Sequence, residues 1–251
     1  MSVLKEIAKN YLIRLPFVRR IAKRWHITGV NQSAAGVRTI FELYSKYAGF
    51  SGKDILELGP GHTWGVAAEM YKEGARSVTI IDIENYISAE ILQAHPYINY
   101  IIYDGQVMPL EDKSADLVVS YTVFEHLRNP DTTVAETFRV LREGGMAVHW
   151  IDLGDHLHFG PDADPAMLFD CLRYTERTWN LMTNNRGCYV NRLRRSDWIN
   201  SCKDAGFTIL HAIPVINNSV REMYEKGGVQ YLKGIRPDDR FASHLLLVLK
   251  K

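Results

Sequence analysis

The chain has 251 residues, of which 46% are hydrophobic, and a formal net charge of +1 at pH 7. This composition supports a sizeable globular core, and the near-neutral charge gives no whole-molecule field that would favour nucleic acid. The three cysteines, Cys171, Cys188 and Cys202, form no C-x-x-C pair, which disfavours a disulfide framework or a zinc site and is typical of a reducing compartment. No apolar run approaches the roughly 20 residues that span a bilayer, and the N-terminus lacks a secretory hydrophobic region, so we expect a cytoplasmic protein.

Residues 1–26 carry an amphipathic pattern. Apolar residues recur there at helical spacing, namely Leu4, Ile7, Ala8, Tyr11, Leu12 and Leu15. Basic residues accompany them, namely Lys5, Lys9, Arg14, Arg19, Arg20, Lys23 and Arg24. A basic amphipathic helix can lie on an anionic membrane surface, which would place the protein peripherally at the inner face of the membrane. We favour the alternative, a helix that docks on the rest of the protein with its basic face solvated, because most charged runs are simply solvated.

A further helix is predicted over residues 31–50, so that residues 1–49 form a helical extension or lid ahead of a domain that spans residues 50–251. That domain opens with a short buried strand over residues 54–58, followed by a glycine turn. Gly59 and Gly61 allow backbone conformations and a close approach that a side chain would block. Open α/β sheets bind ligands at this end of their strands, so the turn predicts a ligand site.

The position of the third glycine distinguishes two classes of ligand. The dinucleotide pattern G-x-G-x-x-G requires a glycine where this chain has Trp64, and Gly65 comes one residue late. The mismatch disfavours a nicotinamide dinucleotide. An ordinary strand-to-helix turn without a ligand stays open, because a lone Gly-x-Gly is a weak signal.

Acidic residues follow the next two predicted strands. Asp82 ends a strand over residues 78–81, about twenty residues beyond the glycines, where a ribose-binding carboxylate belongs. Its oxygens can accept hydrogen bonds from both ribose hydroxyls. Asp104 and Gly105 follow a strand over residues 98–103. Either aspartate could instead be a capping or turn residue, but the spacing favours ribose binding for Asp82, with Glu84 as a weaker candidate.

Segments further along the chain complete an ordered series of motifs. Residues 109–127 read Pro-Leu-Glu-Asp-Lys-Ser-Ala-Asp-Leu-Val-Val-Ser-Tyr-Thr-Val-Phe-Glu-His-Leu, and Glu136, residues 139–142 and Gly144-Gly145 follow. Together with Glu57 and the glycine turn, residues 50–152 resemble the small-molecule branch of class I S-adenosylmethionine (SAM)-dependent methyltransferases. Ala115 stands where that family usually has phenylalanine and Glu143 where it usually has proline, and both positions look structural.

The resemblance implies a doubly wound, seven-stranded Rossmann-like α/β sheet that ends in an antiparallel hairpin. It implies SAM as the cofactor and S-adenosylhomocysteine as the product. The residues that it assigns to the cofactor are Glu57, Gly59, Gly61, Asp82, Asp104, Gly105 and Tyr121. In the family the glycine turn faces the methionine part of SAM, and the acid matching Asp104 accepts a hydrogen bond from the adenine amino group.

Candidate acid–base residues follow the fourth and fifth predicted strands. A neutral hydroxyl acceptor must lose its proton, and histidine suits that task. His126 follows strand four, although it could equally cap or pack the next helix. Asp152 and His156 follow strand five and would form a polarised Asp–His base, and Asp152 matches an acidic position of sugar O-methyltransferases. Asp155 is an alternative partner for His156. The cluster could also bind a divalent metal that lowers the pKa of the hydroxyl, but a hard metal usually needs more oxygen ligands than are visible here, so a metal site is the less favoured alternative and no metal ligand is assigned.

Two insertions, residues 153–195 and 216–240, lie where this family usually carries its substrate-specificity elements. The first mixes arginines with aromatics and amides, which suit sugars and phosphates, or it forms a surface subdomain with its own small core. Residues 152–156 and 191–194 resemble methyltransferases of bacterial polysaccharide biosynthesis, which implies a sugar or glycan acceptor, nucleotide- or lipid-linked. The alternatives are a quinone-like or polyketide acceptor and a non-catalytic partner subunit, which the intact cofactor residues disfavour.

Overall fold

The computed structural model describes residues 2–18, 33–62, 64–158 and 164–251, which build a seven-stranded sheet with flanking helices. The strands are β1 (Asp54–Leu58), β2 (Ser77–Asp82), β3 (Ile98–Ile102), β4 (Ala115–Tyr121), β5 (Leu141–Asp152), β6 (Thr208–Ile216) and β7 (Ala242–Lys250). The α-helices are α1 (Val3–Leu12), α2 (Ala34–Ser45), α3 (Gly65–Lys72), α4 (Ala89–Ala94), α5 (Pro130–Val140), α6 (Glu176–Thr183), α7 (Arg195–Asp204) and α8 (Asn218–Glu225). The doubly wound sheet that the resemblance implied is confirmed.

The spatial order of the strands is β3-β2-β1-β4-β5-β7-β6, and β1 to β5 pair in parallel. From β1 the chain moves outward to β2 and β3 and then returns to the other side of β1 as β4. This reversal between β1 and β4 is the point at which open α/β sheets bind ligands. Gly144 N donates to Lys251 O just beyond the end of β7, whereas Leu153 N, just beyond the end of β5, donates to Ser243 O near the start of β7, so β7 runs antiparallel to β5, as expected.

The parallel strands are apolar because both faces of the sheet are covered. Ile55, Val78, Leu117 and Val148 belong to one buried cluster, each at most 1% exposed. Helix α2 contributes Tyr44 to the same cluster from its apolar face. The ligand-binding edge of β1 and β4 is therefore supported by a packed core.

The described residues fall into two compact units. The sheet unit contains those within 29–151, 195–213 and 245–251, and the insertion unit contains those within 1–28, 152–194 and 214–244. The predicted domain boundary at residue 49 stays a prediction. Each unit is described separately below.

The insertion unit has its own small cores. Trp179 is 1% exposed, donates from Nε1 to Val190 O at 2.8 Å and packs beside Cys171. Arg194 is 5% exposed and donates to three backbone carbonyls, those of Leu153, Asp239 and Ala242. These side chains, expected as contacts for an acceptor, are used to fold the unit, which favours the subdomain interpretation.

Helix α1 belongs to the insertion unit, and it docks on α6 through polar residues. Glu6 and Asn10 are buried, whereas Leu4 is 79% exposed and Leu12 is 52% exposed. The favoured expectation was a docked helix with a solvated basic face, and it did not include the exposed apolar side chains of Leu4 and Leu12. Among the basic residues cited for this segment, Arg19, Arg20, Lys23 and Arg24 lie outside the described residues.

Candidate active site

The glycine turn after β1 can be formed only by residues that tolerate a left-handed backbone and close packing. Gly59 has φ +57° and Gly61 has φ +58°. A Cβ atom on Gly59 would lie 2.9 Å from Cγ2 of Val123, a distance that real Cβ contacts essentially never show. The turn therefore lies against the segment that follows β4, at the reversal of strand order.

The turn continues into α3 through Trp64, after residue 63, which lies outside the described residues. The ring of Trp64 packs against His95, with the centroids 4.3 Å apart. A large side chain therefore occupies the position that a dinucleotide fold reserves for close helix–strand packing. The geometry supports the expectation that this turn does not bind a nicotinamide dinucleotide.

Asp82, the last residue of β2, holds the glycine turn in place. Its carboxylate accepts from Gly61 N at 3.1 Å and from Ile83 N at 2.7 Å. Burial raises the pKa of this carboxyl group, and the backbone hydrogen bonds from Ile83, Gly61 and Glu84 oppose that rise. A carboxylate has about four acceptor positions, and the three backbone N–H groups use three of them, so Asp82 can fix the turn and still accept from a ribose hydroxyl.

Asp104 and Gly105 form a turn immediately after β3. Asp104 accepts from Gln106 N at 2.8 Å, and Gly105 has φ +79°. A Cβ atom on Gly105 would lie 3.2 Å from Cγ2 of Ile83, so this turn lies beside the residue that follows Asp82. The carboxyl ends of β2 and β3 thus bring the two predicted acids to one edge of the sheet.

Two exposed apolar side chains accompany these acids, and sequence reasoning missed them. Ile83 is 61% exposed and Val107 is 64% exposed, each one to three residues beyond a predicted cofactor acid. A flat heterocycle buries apolar area well against such side chains. The signal that could have identified them is an apolar residue within three positions after an acid that ends or follows a strand.

Glu57 lies on the central strand β1 and is 3% exposed. Its Oε2 atom has no hydrogen-bond partner among the described residues, and burial raises the pKa of the carboxyl group to about 8. A buried acceptor without a partner suits a ligand that brings a hydrogen-bond donor or a positive charge. The α-ammonium group of SAM is such a donor, so the residue fits its predicted role.

Glu57 should make the ligand-free protein less stable as the pH rises. The folded-state pKa of about 8 lies above the ordinary value of 4.5. Between these two pH values the Glu57 carboxyl group is therefore protonated in the folded state and ionised in the unfolded state. The free energy of unfolding therefore falls between those two pH values. Glu57→Gln cannot ionise and should lose this part of the pH dependence.

Thermal unfolding of both proteins at pH 5 and pH 8 measures the effect. We expect the midpoint of the wild-type protein to fall more than that of Glu57→Gln, which becomes the more stable protein at pH 8. An equal fall in both proteins would contradict the assignment of the raised pKa to Glu57.

Tyr121 is the last residue of β4, and His126 follows that strand within the sheet unit. The ring of Tyr121 stacks on Trp150 with the centroids 6.3 Å apart, and Thr122, at φ +53°, donates from its N–H to Trp150 O at 2.8 Å. A non-glycine residue at positive φ stores strain of the kind found at ligand sites. His126 ends a 3₁₀ helix over Phe124–His126 and is half-buried, and its role as a base stays a prediction.

The insertion unit brings Asp152 together with two histidines. Oδ2 of Asp152 lies 3.3 Å from His156 Nε2 and 3.9 Å from His244 Nε2, and Oδ1 accepts from Gly154 N at 2.7 Å. Burial alone would raise the pKa of Asp152, but the hydrogen bond from His156, the charges of both histidines and the bond from Gly154 lower it overall. The carboxylate is thus held ionised beside two imidazoles.

The structure distinguishes between the two aspartates considered as partners of His156. Asp152 contacts His156, whereas Asp155 accepts from the backbone N–H of Leu157. His244, on β7, was not predicted, since no local motif connects it with Asp152. Within the described ranges, no group of three or more His, Cys, Asp or Glu residues is arranged to hold a metal ion.

The family model described as "Methyltransferase domain" matches residues 56–149. The probable S-adenosylmethionine-dependent methyltransferase of Mycolicibacterium smegmatis is 33% identical over 47% of this chain and 44% of its own length. The chain thus spans less than half the length of the first curated relatives that it matches. The thiol S-methyltransferase TMT1A of Homo sapiens is 30% identical over 60% of this chain and 67% of its own length.

The same fold occurs in a solved S-adenosylmethionine-dependent methyltransferase from Mesorhizobium loti, with a TM-score of 0.57 and 17% identity over 84% of this chain and 96% of that one. Family and fold imply SAM as the cofactor, and the glycine turn, Asp82, Asp104 and the buried Glu57 carboxyl group fit it. The matched domain, the relatives and the sheet agree that this chain belongs to the SAM-dependent methyltransferases.

Proposed function

We propose that the protein methylates a hydroxyl group, that of a sugar or glycan, using SAM as the methyl donor. The observation that carries the hydroxyl assignment is the contact of Asp152 with His156 and His244. A sugar hydroxyl is a poor nucleophile until its proton is removed, and a histidine oriented by a carboxylate is suited to that step.

The residues that would hold SAM all belong to the sheet unit. Gly59 and Gly61 would allow the methionine part to approach the main chain, and Glu57 would accept from its ammonium group. Asp82 would accept from a ribose hydroxyl, and Asp104 from the adenine amino group. When bound, SAM supplies an electrophilic methyl group on a sulfonium, whose transfer requires mainly that the acceptor be held in line.

His156 is the proposed base. Asp152 Oδ2 lies beside Nε2 of His156, so the tautomer that donates to the carboxylate carries its proton on Nε2 and leaves Nδ1 as the basic nitrogen. Nδ1 would take the hydroxyl proton, and Asp152 would stabilise the imidazolium that forms. Nε2 of His244 lies 3.9 Å from the same carboxylate oxygen, beyond hydrogen-bond distance but close enough for an electrostatic contact.

The sugar acceptor rests on the resemblance of residues 152–156 and 191–194 to enzymes of polysaccharide biosynthesis. Arg192 and Arg194 donate to backbone carbonyls within the insertion unit, so the resemblance at 191–194 concerns the framework of the site rather than contacts with the sugar. Asp152 and His156 are the residues of this resemblance that have acid–base chemistry.

A thiol acceptor is the second candidate, favoured by the similarity to proteins described as thiol S-methyltransferases, including that of Rattus norvegicus at 28% identity. A thiol has a pKa near 8.5 and needs little help to ionise, so a thiol reaction would depend weakly on His156.

A methylation screen with mass spectrometry separates the two candidates. The purified protein and SAM are incubated with nucleotide sugars, lipid-linked glycans and small thiols, and each product is tested for a 14 Da gain, the mass of one added CH₂. Methylated sugars with a strong dependence on His156 support the proposal. Methylated thiols alone, at equal rates with and without His156, would replace it by the second candidate.

A further inference from the structure

Helix α1 presents its polar residues to the protein. Oε2 of Glu6 accepts from Nη1 of Arg186 at 2.6 Å, and Nδ2 of Asn10 donates to Leu181 O at 2.9 Å. The backbone N–H of Asn185 donates to Oδ1 of Asn10 at 2.7 Å. The helix is thus held by an ion pair and amide hydrogen bonds, with its one acid, Glu6, turned inward.

The outward side of the same segment is apolar. The exposed large side chains are Leu4 (79%), Tyr11 (47%), Leu12 (52%), Leu15 (43%) and Phe17 (65%). Leu4, Tyr11 and Leu12 are related by the spacing i, i+7 and i+8, so they lie on one face of α1. Leu15 and Phe17, which are also exposed, follow the end of the helix. Isolated exposed apolar residues are ordinary, but a contiguous row marks an interaction surface.

Cations border this apolar row. Lys5 and Arg14 are exposed, and Lys9, which is also exposed, donates from Nζ to Oε1 of Glu6 at 2.8 Å. Arg14 also lines a groove of about 440 Å³ within the insertion unit, together with Arg177 and Asn180. Because Glu6 is buried and paired, the described outward side of residues 2–18 bears positive charge and no carboxylate.

We propose that this surface, consisting of Leu4, Tyr11 and Leu12 of α1, the following Leu15 and Phe17, and the cations Lys5 and Arg14, binds the surface of an anionic lipid bilayer. An apolar row bordered by basic residues matches the two layers of such a surface, in which acyl chains lie below phosphate groups. The apolar side chains would enter the boundary between headgroups and acyl chains while the cations pair with phosphates. The polar docking face keeps the helix on the protein.

A bilayer suits this face better than a protein groove. A protein groove binds the apolar face of an amphipathic helix that is free to enter it. Helix α1 is not free in this way, because the contacts of Glu6 and Asn10 already hold it against the insertion unit. A planar surface can be reached by such a fixed helix without undoing those contacts.

Vesicle co-sedimentation of the full chain tests the proposal, with vesicles of phosphatidylcholine alone and of phosphatidylcholine and phosphatidylglycerol at 3:1. We expect binding to the anionic vesicles to be at least about tenfold tighter, and to weaken about tenfold in Lys5→Gln/Arg14→Gln. The triple variant Leu4→Gln/Leu12→Gln/Leu15→Gln should lose at least about tenfold on the same vesicles. The matched control is Leu210→Gln on β6, whose leucine is 41% exposed and which should bind as the wild type does.

Unchanged unfolding midpoints and SAM affinity establish that the variants are folded. Wild-type protein that binds neither vesicle overturns the proposal, and so does a triple variant that binds as tightly as Leu210→Gln. Self-association that the triple variant abolishes, without vesicle binding by the wild type, assigns the face to a second copy of the chain and also overturns it. None of these outcomes depends on the identity of the methyl acceptor.

Discussion

His156→Ala is expected to lower turnover by about 100-fold or more with a hydroxyl acceptor while leaving SAM affinity unchanged. General base catalysis typically contributes a factor of about 10²–10⁴, and His156 is the imidazole hydrogen-bonded to Asp152. None of the residues assigned to SAM belongs to the insertion unit, which contains both His156 and Asp152. The variant should therefore separate the chemical step from cofactor binding.

Asp152→Asn should also lower turnover without changing SAM affinity, but by a smaller factor than His156→Ala. The amide keeps an oxygen that can accept from Gly154 N, but it cannot stabilise an imidazolium by charge. The matched control is His211→Ala, an exposed histidine on β6. Added imidazole should partly restore the activity of His156→Ala, which a loss of folding would not allow. Full activity of His156→Ala with a sugar hydroxyl would exclude this residue as the base.

Asp82→Ala is expected to weaken SAM binding by about 10- to 100-fold. Hydrogen bonds to a charged acceptor are worth about 1.5–3 kcal/mol, and this carboxylate is assigned to a ribose hydroxyl while also holding Gly61 N at 3.1 Å. Its loss should remove the ribose contact and loosen the glycine turn together. Asp82→Asn retains an acceptor for Gly61 and should bind SAM more tightly than Asp82→Ala.

Calorimetry measures these affinities. Asp204→Ala, which removes an exposed aspartate at the end of α7, is the matched control and should bind SAM as the wild type does. Equal affinities for Asp82→Ala and Asp204→Ala would show that the acid at the end of β2 has no part in binding SAM.

The sequence was most informative about functional residues that lie close together along the chain. Gly59 and Gly61 are predictable because the turn requires positive φ, and Asp82 because a strand and a helix of ordinary length separate it from the turn. Such local constraints recur at fixed spacing, so a single sequence can disclose them. The resemblance over residues 50–152 then implied the doubly wound, seven-stranded sheet.

Long-range contacts were not predictable in this way. His244 reaches Asp152 only because β7 lies beside β5 in the sheet, and no spacing along the chain encodes that pairing. Amphipathicity likewise located α1 without indicating which face docks, since Glu6 could be buried only once Arg186 was available to pair with it. Arg194 has a comparable explanation, because its buried guanidinium is compensated by carbonyls from distant segments.

The fold and the cofactor residues constrain the donor far more than the acceptor. Two of the relatives are described as thiol S-methyltransferases, so membership of the family does not by itself distinguish a thiol acceptor from a hydroxyl acceptor. The distinction depends on the insertion unit, in which Asp152, His156 and His244 meet.

Calorimetric titration of the purified chain with SAM, S-adenosylhomocysteine and NAD tests the central assignment most directly. The glycine turn, Glu57, Asp82 and Asp104 predict saturable binding of one SAM or one S-adenosylhomocysteine per chain and no binding of NAD. Binding of NAD without SAM, or no binding of SAM and S-adenosylhomocysteine, would contradict the assignment of this edge of the sheet to SAM.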